Sequence, residues 1–424
     1  MKKTILSAFL LAFVANALAA MDFMPVAVPN KTIFVTVSNP NDFERKNQPV
    51  VIPLAETRER WNACEIDART AVFVDDAEIS SQADDLDGDG LHDELAFLID
   101  LQPNETKTIE LRRVPMTEPQ PKFPKEVQAQ MYLRDPKTKA ITPTTEASSG
   151  ESGTLYRSLH HHGVAFESAL VAYRVYFDKR ITVDIYGKVK EQLELDTAKW
   201  YPTKEQLAGG FGDDILLVGE GVGVGSVKGW DGKQAMHIEP VKNRTQRIVS
   251  QGNIRTIVDI INDGWTYNGD TVDMTVRYIM YARHRDVEAQ VFTDSASNGE
   301  VVVATGVQKF PVSVMFDDND GVKGTWATEW SLGDTLVATR QTFGLGVAVP
   351  KANRLSSVED SINSLILMSS QGAPSFTFYL TSVSAKEEKG VKTINLDGYV
   401  SYTLRAACLA YHKLHFRRRR FFLG

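Results

Sequence analysis

The sequence predicts an antiparallel all-β protein, a sandwich or barrel, with a small N-terminal β-sandwich followed by a large β domain, on three observations. First, the runs KTIFVTVSN, AVFVDD, KTIELRRV, LVAYRVYF, ITVDIYGKV, RTIVDIIN, DMTVRYIMYA, EVVVATGV and SFTFYLTSV mix β-branched and aromatic residues with period-two alternation. Second, Gly, Asn, Asp or Pro separates them at short intervals, as antiparallel connections require and βαβ crossovers do not. Third, the chain shows neither a fixed-length repeat nor a phosphate loop: GFGDDILLVGEGVGVG is glycine-rich but lacks the following Lys-Ser/Thr, and reads better as bulges around a cleft.

In chain order, MKKTILSAFLLAFVANALAA comes first and reads as an export signal. Lys2 and Lys3 start it, Ile5 to Val14 form a short apolar core, and Ala17-Leu18-Ala19 offers a small-residue cleavage site. The apolar run falls short of the roughly 20 residues of a membrane span, and no cysteine follows to take a lipid. Residues 1–19 therefore predict a protein exported to the periplasm or beyond, without a stable membrane anchor. The remaining length exceeds one ordinary core and predicts two domains. An apolar share of 43% is that of a globular chain. A net charge of −7, spread along the sequence, argues against a nucleic-acid partner. The only cysteines are Cys64 and Cys408; exported chains stapled by disulfides usually carry several pairs, so free thiols are favoured over a bridge.

Residues 28–115 form the expected small sandwich. Residues 116–153 concentrate Pro, Thr, Ser and Gly and are expected as a linker, and residues 154–400 as the large domain. Within it TKEQLAGGFGDD predicts one short helix, capped by Thr203 and stopped at Gly209. Residues 401–424 are a basic tail; the end of the chain reads as an amphipathic helix through Val400, Leu404, Cys408 and Tyr411, whose terminal arginines suit a helix dipole, and no function attaches to it.

In DDLDGDGLHDEL, Asp85, Asp87 and Asp89 take positions one, three and five of a calcium loop. Gly90 takes position six, the Leu91 carbonyl seven and Asp93 nine. Alternate carboxylates in such a loop converge on a hard cation. Position twelve is Ala96 and not the bidentate Glu of an EF-hand, so the expectation is a structural Ca2+ site, with a solvated acidic hairpin tip as the alternative. No organic cofactor is expected.

Two further stretches carry candidate chemistry. If LHHHGVAFES is a strand, His160 and His162 share a face about 7 Å apart, with Gly163 marking a bulge or a close approach of another segment. Imidazoles suit proton transfer near neutral pH, here with Glu167 as carboxylate partner. A metal site completed by His237, or plain hydrogen bonding to buried backbone, are the competing readings. In VKGWDGKQAMHIEP, Trp230 is a candidate sugar-stacking platform. Lys228 and Asp231 flank it as substrate contacts, and His237 and Glu239 form an acid/base pair on one strand face; WDGK reads equally as an Asp-Gly hairpin turn. Arg174, among aromatics in VAYRVYF, is a candidate clamp for a substrate carboxylate or a structural ion pair.

HHHGVAFESALVAYRVYFDKRITVDIYGK, with WYPTKEQLAGGFGDDILLVG, GVGVGSVKGWDGK, HIEPV, GWTYNG and YARHRDVEAQV, resembles an exported bacterial family known as domain of unknown function 4861. The resemblance implies a substrate class, since members are encoded among genes for degrading pectin and other uronate-containing glycans; it implies no catalytic residues. A looser resemblance is to galactose-mutarotase-like supersandwiches, which place His, Glu, Arg and aromatic residues along a concave sheet. This is likeness of fold, which does not fix function. The expectation is an exported enzyme (lyase, hydrolase or epimerase) acting on uronic-acid-containing oligosaccharides such as pectin fragments. Its expected acid/base groups are His160, His162, Glu167, His237 and Glu239, all meeting across one hollow. A non-catalytic glycan-binding or structural envelope protein is the alternative.

Overall fold

The computed structural model describes residues 32–387 apart from 62–67, 298, 331–339, 370–371 and 374. The export signal at 1–19, the basic tail at 401–424, and Cys64 and Cys408 lie outside the described residues.

The chain is all-β, and its strands pair antiparallel throughout the named sheets. In the N-terminal part, a sheet of Thr32–Ser38, Thr106–Pro115, Ala68–Val74 and Ala77–Ile79 faces a second of Arg45–Pro53, Glu94–Leu101 and Ser81–Asp84. Alternation sends Val50, Ile52, Leu95, Phe97, Ile109 and Leu111 into the space between them.

In the larger part, the hairpin-connected strands Asn243–Gln251, Arg255–Tyr267, Asp270–Tyr281 and Val287–Ser295 belong to a nine-stranded sheet. Two five-stranded sheets pack on it. One has the order Asp213–Asp214, Val183–Gly187, Val171–Tyr176, Gly163–Ser168, Val127–Gln130. The other runs Ala235–Met236, Lys228–Trp230, Val303–Gln308, Asn363–Met368, Arg354–Glu359. One core joins all three, through Phe166, Tyr173 and Ile185, Val258 and Tyr278, and Val303 and Ile366.

Residues 116–153, expected as a linker, supply strands to this body. Val127–Gln130 edges a five-stranded sheet with all four residues buried, and Glu146–Ser148 pairs with Asn243–Gln251. The turn-rich composition hid them because each strand is only three or four residues long. The expected helix forms over Lys204–Ala208: Thr203 and Gln206 make a reciprocal capping box, and Gly209 closes the other end.

Inward residues of Val171–Tyr176 (Val171, Tyr173, Val175) enter the core, whereas Ala172 and Arg174 face outward. The segment 188–212 covers that outer face, seating Leu195 and Trp200 on Ala165, Ala172 and Tyr186. A charged sheet face is thus buried, which dictates the pairing described below.

The two parts meet at Arg255, a fully buried guanidinium that donates from Nε to Asp84 at 2.7 Å and from Nη2 to Glu94 at 2.7 Å. Asp84 also accepts from Gln82 at 2.7 Å and from Ser250. Removing one member of such a set strands a buried charge, at a cost of about 3–5 kcal/mol. Asp84→Ala is therefore expected to lower stability by about that amount in urea unfolding; a change within about 0.5 kcal/mol, the ordinary range of surface substitutions, would show the contact to be incidental.

Candidate functional site

A cleft of about 600 Å³ opens beside the strand Lys228–Trp230, lined by Glu220, Lys228, Asp231, His237, Asp360 and Asn363 among others. The glycine-rich run brings in Glu220. Gly223 holds φ +56 where a Cβ would lie 2.1 Å from the Val183 carbonyl oxygen, so only glycine lets this loop press against the sheet. His237 Nε2 lies 2.8 Å from Glu220 Oε2. Burial, with the nearby Lys228 charge, holds the His237 imidazole below its ordinary pKa despite Glu220, while the His237 bond lowers the Glu220 carboxyl. The ring is therefore neutral near pH 7, with Nε2–H donating to Glu220 and Nδ1 left as the basic atom.

Lys228 is fully buried, donating to the Arg180 carbonyl and, at 3.1 Å, to Thr182 Oγ1. Burial pushes its ammonium down to about 7, with Asp178 partly opposing. Asp231 caps the WDGK turn, accepting from the backbone N–H of Lys233 at 2.7 Å and Gln234 at 2.8 Å, with Gly232 at φ +95. Asp360 is engaged in the same way, by Ile362 and Asn363 N–H at 2.9 and 2.8 Å. Glu220 is the cleft carboxylate whose bond is to a titratable side chain.

A second polar cluster sits on the outer face of the sheet containing Val171–Tyr176. Arg174 donates to Asp184 from Nε at 3.0 Å and Nη2 at 2.6 Å, to Asp214 at 2.8 Å, and to the Tyr201 hydroxyl at 3.0 Å. Burial opposes its charge, and the two carboxylates outweigh that and keep it ionised. Burial raises Asp214 to about 7, against the pull of Arg174. His160, His161 and His162 lie over this cluster, all held below the ordinary imidazole value chiefly by burial, His161 down to about 3.

Residues 37–399 match the family described as Domain of unknown function (DUF4861). The chain belongs to that family. No curated protein matches this DUF4861 chain. Among solved structures, an alpha-mannosidase from Enterococcus faecalis V583 aligns with TM-score 0.37 and 8% identity, covering 84% of this chain and 42% of that one. A protein in the glycosyl hydrolase family 38 from Enterococcus faecalis gives TM-score 0.37, 8% identity, and coverage of 84% and 43%. The DUF4861 chain spans less than half the length of these structures.

The structure gathers the candidate residues unevenly. Lys228, Asp231 and His237 line one cleft, but none of His160, His162, Glu167 or Arg174 lines it. The single shared hollow expected from the sequence does not form: the candidates fall into two groups on either side of the turn at 178–181. Arg180 marks that boundary: its guanidinium lies 5.1 and 4.8 Å from the Tyr156 and Tyr176 rings, and its carbonyl receives Lys228.

The histidines do not form a strand. Residues 156–162 are turns interrupted by a single bridge from Leu159 to Leu133, His162 has φ +67, and the strand begins at Gly163, where a Cβ would fall 1.8 Å from the Val175 carbonyl oxygen. Glu167 partners no histidine; fully buried, it accepts from Lys188, Gln128 and the N–H groups of Glu194 (2.9 Å) and Leu195 (2.8 Å), anchoring the covering segment. Arg174 is a structural ion-pair hub and not a substrate clamp, because its donors are already engaged.

Trp230 packs in a small apolar cluster with Val222, Ala304, Leu365 and Leu367, so it is not a free stacking platform. The strand ends at Met236, so His237 and Glu239 do not share a strand face, and Glu239 pairs with Lys179 at 3.1 Å on the surface. Glu220 was missed; its one signal was an acid held between Gly219 and Gly221.

Asp85, Asp87 and Asp89 converge, their carboxylate oxygens lying within 4.8 Å of one another. Asp93 stands outside that group, its Oδ2 accepting from Leu86 N–H at 2.7 Å, and the Leu91 side chain is exposed.

Proposed function

We propose that the protein is an exported carbohydrate-active enzyme acting on uronic-acid-containing oligosaccharides, with proton transfer at His237 in the cleft. The observation that carries this reading is the hydrogen-bonded His237–Glu220 pair beside the buried Lys228 amine. Nδ1 of the neutral imidazole is a base of suitable strength for the weakly acidic proton on the carbon bearing a uronate carboxylate, and Glu220 balances the imidazolium that results. Lys233 at the cleft wall supplies positive charge for the substrate carboxylate and the enolate-like charge that develops on it, with the buried Lys228 amine behind it. Hydrolysis by paired carboxylates fits less well, because Asp231 and Asp360 are engaged as turn caps. Lyase or epimerase chemistry is the reading the cleft favours.

His237→Ala is expected to lower kcat on oligogalacturonates by about 10²–10⁴-fold, read from the ultraviolet absorbance of a new double bond or from isomer exchange. A base must be unprotonated, so wild-type activity should persist from neutral pH down through 6.5, the ordinary histidine value, and fall below the depressed His237 pKa. An alanine variant as fast as wild type removes His237 from the mechanism.

We also propose that Asp85, Asp87 and Asp89 hold a structural Ca2+. The loop runs between Asp84 and Glu94, the two carboxylates that grip Arg255, so ordering it supports the contact between the two parts of the chain. Calcium should raise the melting temperature by a few degrees relative to chelator, and Asp87→Asn with Asp89→Asn should abolish that rise. Identical melting with and without calcium would refute the site.

A further inference from the structure

Away from the cleft, the two parts of the chain also meet at residues 282–286, which connect the strands Asp270–Tyr281 and Val287–Ser295. His284 stands there between two oxygens. Its Nδ1 lies 3.1 Å from Asp286 Oδ1, and its Nε2 lies 2.8 Å from the backbone carbonyl oxygen of Asn47 in the N-terminal part. An ionised carboxylate and a carbonyl only accept hydrogen bonds, and a neutral imidazole carries a single N–H. Filling both contacts therefore takes a proton on each ring nitrogen. We propose that His284 is a doubly donating imidazolium that latches the N-terminal sandwich to the large part, so that this contact loosens when the proton leaves.

Both sides of the latch are built in place. Asn47 falls where the pairing of Arg45–Pro53 with Glu94–Leu101 shifts register, with φ 50°, and its N–H donates to Asp100 Oδ1 at 2.7 Å. Its carbonyl is thereby left out of the ladder and is taken by His284. Its side-chain oxygen accepts from Arg283 Nη1 at 3.3 Å, and Arg283 in turn donates to both Glu126 oxygens at 2.7 Å. On the opposite side, the His284 carbonyl accepts from the Ser168 hydroxyl at 2.6 Å and the Arg285 carbonyl from the Tyr173 hydroxyl at 2.8 Å. A fixed backbone thus presents the ring to a fixed carbonyl. A neutral ring would set a lone pair against one of the two oxygens, and a buried acceptor without a donor is destabilising.

The surrounding charges leave Asp286 as the partner of the imidazolium. The Tyr281 ring meets His284 edge-on at 6.1 Å. Arg283 is paired with Glu126, and Arg285 with Glu387 at 2.9 Å. Beside Asn47, Lys46 lies 3.6 Å from Glu44, and Lys107 donates to the Asp100 carbonyl at 2.8 Å. Burial opposes the His284 charge, but Asp286 and the Asn47 carbonyl outweigh it and hold the imidazole above its ordinary value. Burial likewise works against the Asp286 carboxylate, and His284 outweighs it and holds that carboxyl low.

The sign follows. A histidine whose folded pKa is raised supplies stability that is full below its unfolded value of about 6.5 and is lost as pH rises through the folded value. The lowered Asp286 supplies stability present above the unfolded value of about 3.9 and lost as pH falls through its own folded value. The latch is therefore tightest in mildly acidic surroundings and opens toward alkaline pH.

The test compares full-length wild type, His284→Gln and Asp286→Asn between pH 5 and 8.5. Glutamine keeps an N–H for Asn47 and does not titrate, and every other histidine is common to both proteins, so their difference isolates His284. Hydrogen-exchange protection of Arg45–Pro53, corrected for intrinsic rates, should fall about tenfold more in wild type than in His284→Gln from pH 6 to 8.5. In histidine-labelled protein, NMR should show one imidazole with a midpoint above 6.5 that is lost in His284→Gln and moves down by about one pH unit in Asp286→Asn. Should His284→Gln not fold, the displacement in Asp286→Asn identifies the resonance and decides the matter. Equal pH dependence of protection, a His284 midpoint at or below 6.5, or a midpoint unmoved by Asp286→Asn would each overturn the latch. It does not rest on the chemistry at His237, whose rate measurement stands or falls separately.

Discussion

Arg174 sits on a sheet face that the chain has covered, where an ionised guanidinium without partners costs several kcal/mol. Asp184 from the neighbouring strand and Asp214 from the edge strand meet that charge, and the hydroxyls of Tyr176 and Tyr201 take its remaining donors. Two strands and the covering segment are thereby fixed to one planar group. The same face repeats the arrangement with Lys188 and Glu167, where Glu167 also receives the N–H groups of Glu194 and Leu195. With both carboxylate sets in place, residues 188–212 have few alternative positions over the sheet. Breaking either set leaves a buried charge that no repacking can hydrate.

That constraint orders the functional geography. The strand that carries Arg174 runs into the turn at 178–181, and this turn serves two neighbours. Arg180 lays its guanidinium against Tyr156 and Tyr176 on one side and gives its carbonyl to Lys228 on the other. Ile238 N–H reaches the Lys179 carbonyl at 3.0 Å, which seats His237 in the cleft. The histidine-covered Arg174 cluster and the cleft are thus both tied to one short turn. In the N-terminal part, Arg255 repeats the principle across the boundary with the large part, with the acidic loop immediately beside its two carboxylates.

Much of this was legible in the sequence where local pattern decides the outcome. Period-two alternation placed the long strands because one face of each enters the common core, and Thr203 with Gln206 announced a helix start. Gly163 and the Asp231-Gly232 turn were readable because steric exclusion and left-handed backbone act locally. The misreadings share a different cause. Three successive histidines look strand-like by position, but His162 adopts left-handed backbone to give Nδ1 to the Tyr156 carbonyl at 2.8 Å and its face to the Tyr156 ring. Glu167 and Arg174 carry functional residue types, yet burial and engagement of their polar atoms, which only tertiary contacts reveal, make them structural, and Trp230 rests partly buried on an apolar cluster. Glu220 offered only its two flanking glycines as a signal, because its role depends on a histidine 17 positions away in sequence, brought close by the glycine-rich loop.

The most direct test of the account is a crystal structure of the His237→Gln variant soaked with a trigalacturonate. The account predicts the sugar chain in the cleft, with the carbon that bears one carboxylate facing the position 237 side chain and that carboxylate turned toward Lys233. A cleft that stays free of sugar while the trisaccharide binds elsewhere on the protein would contradict it.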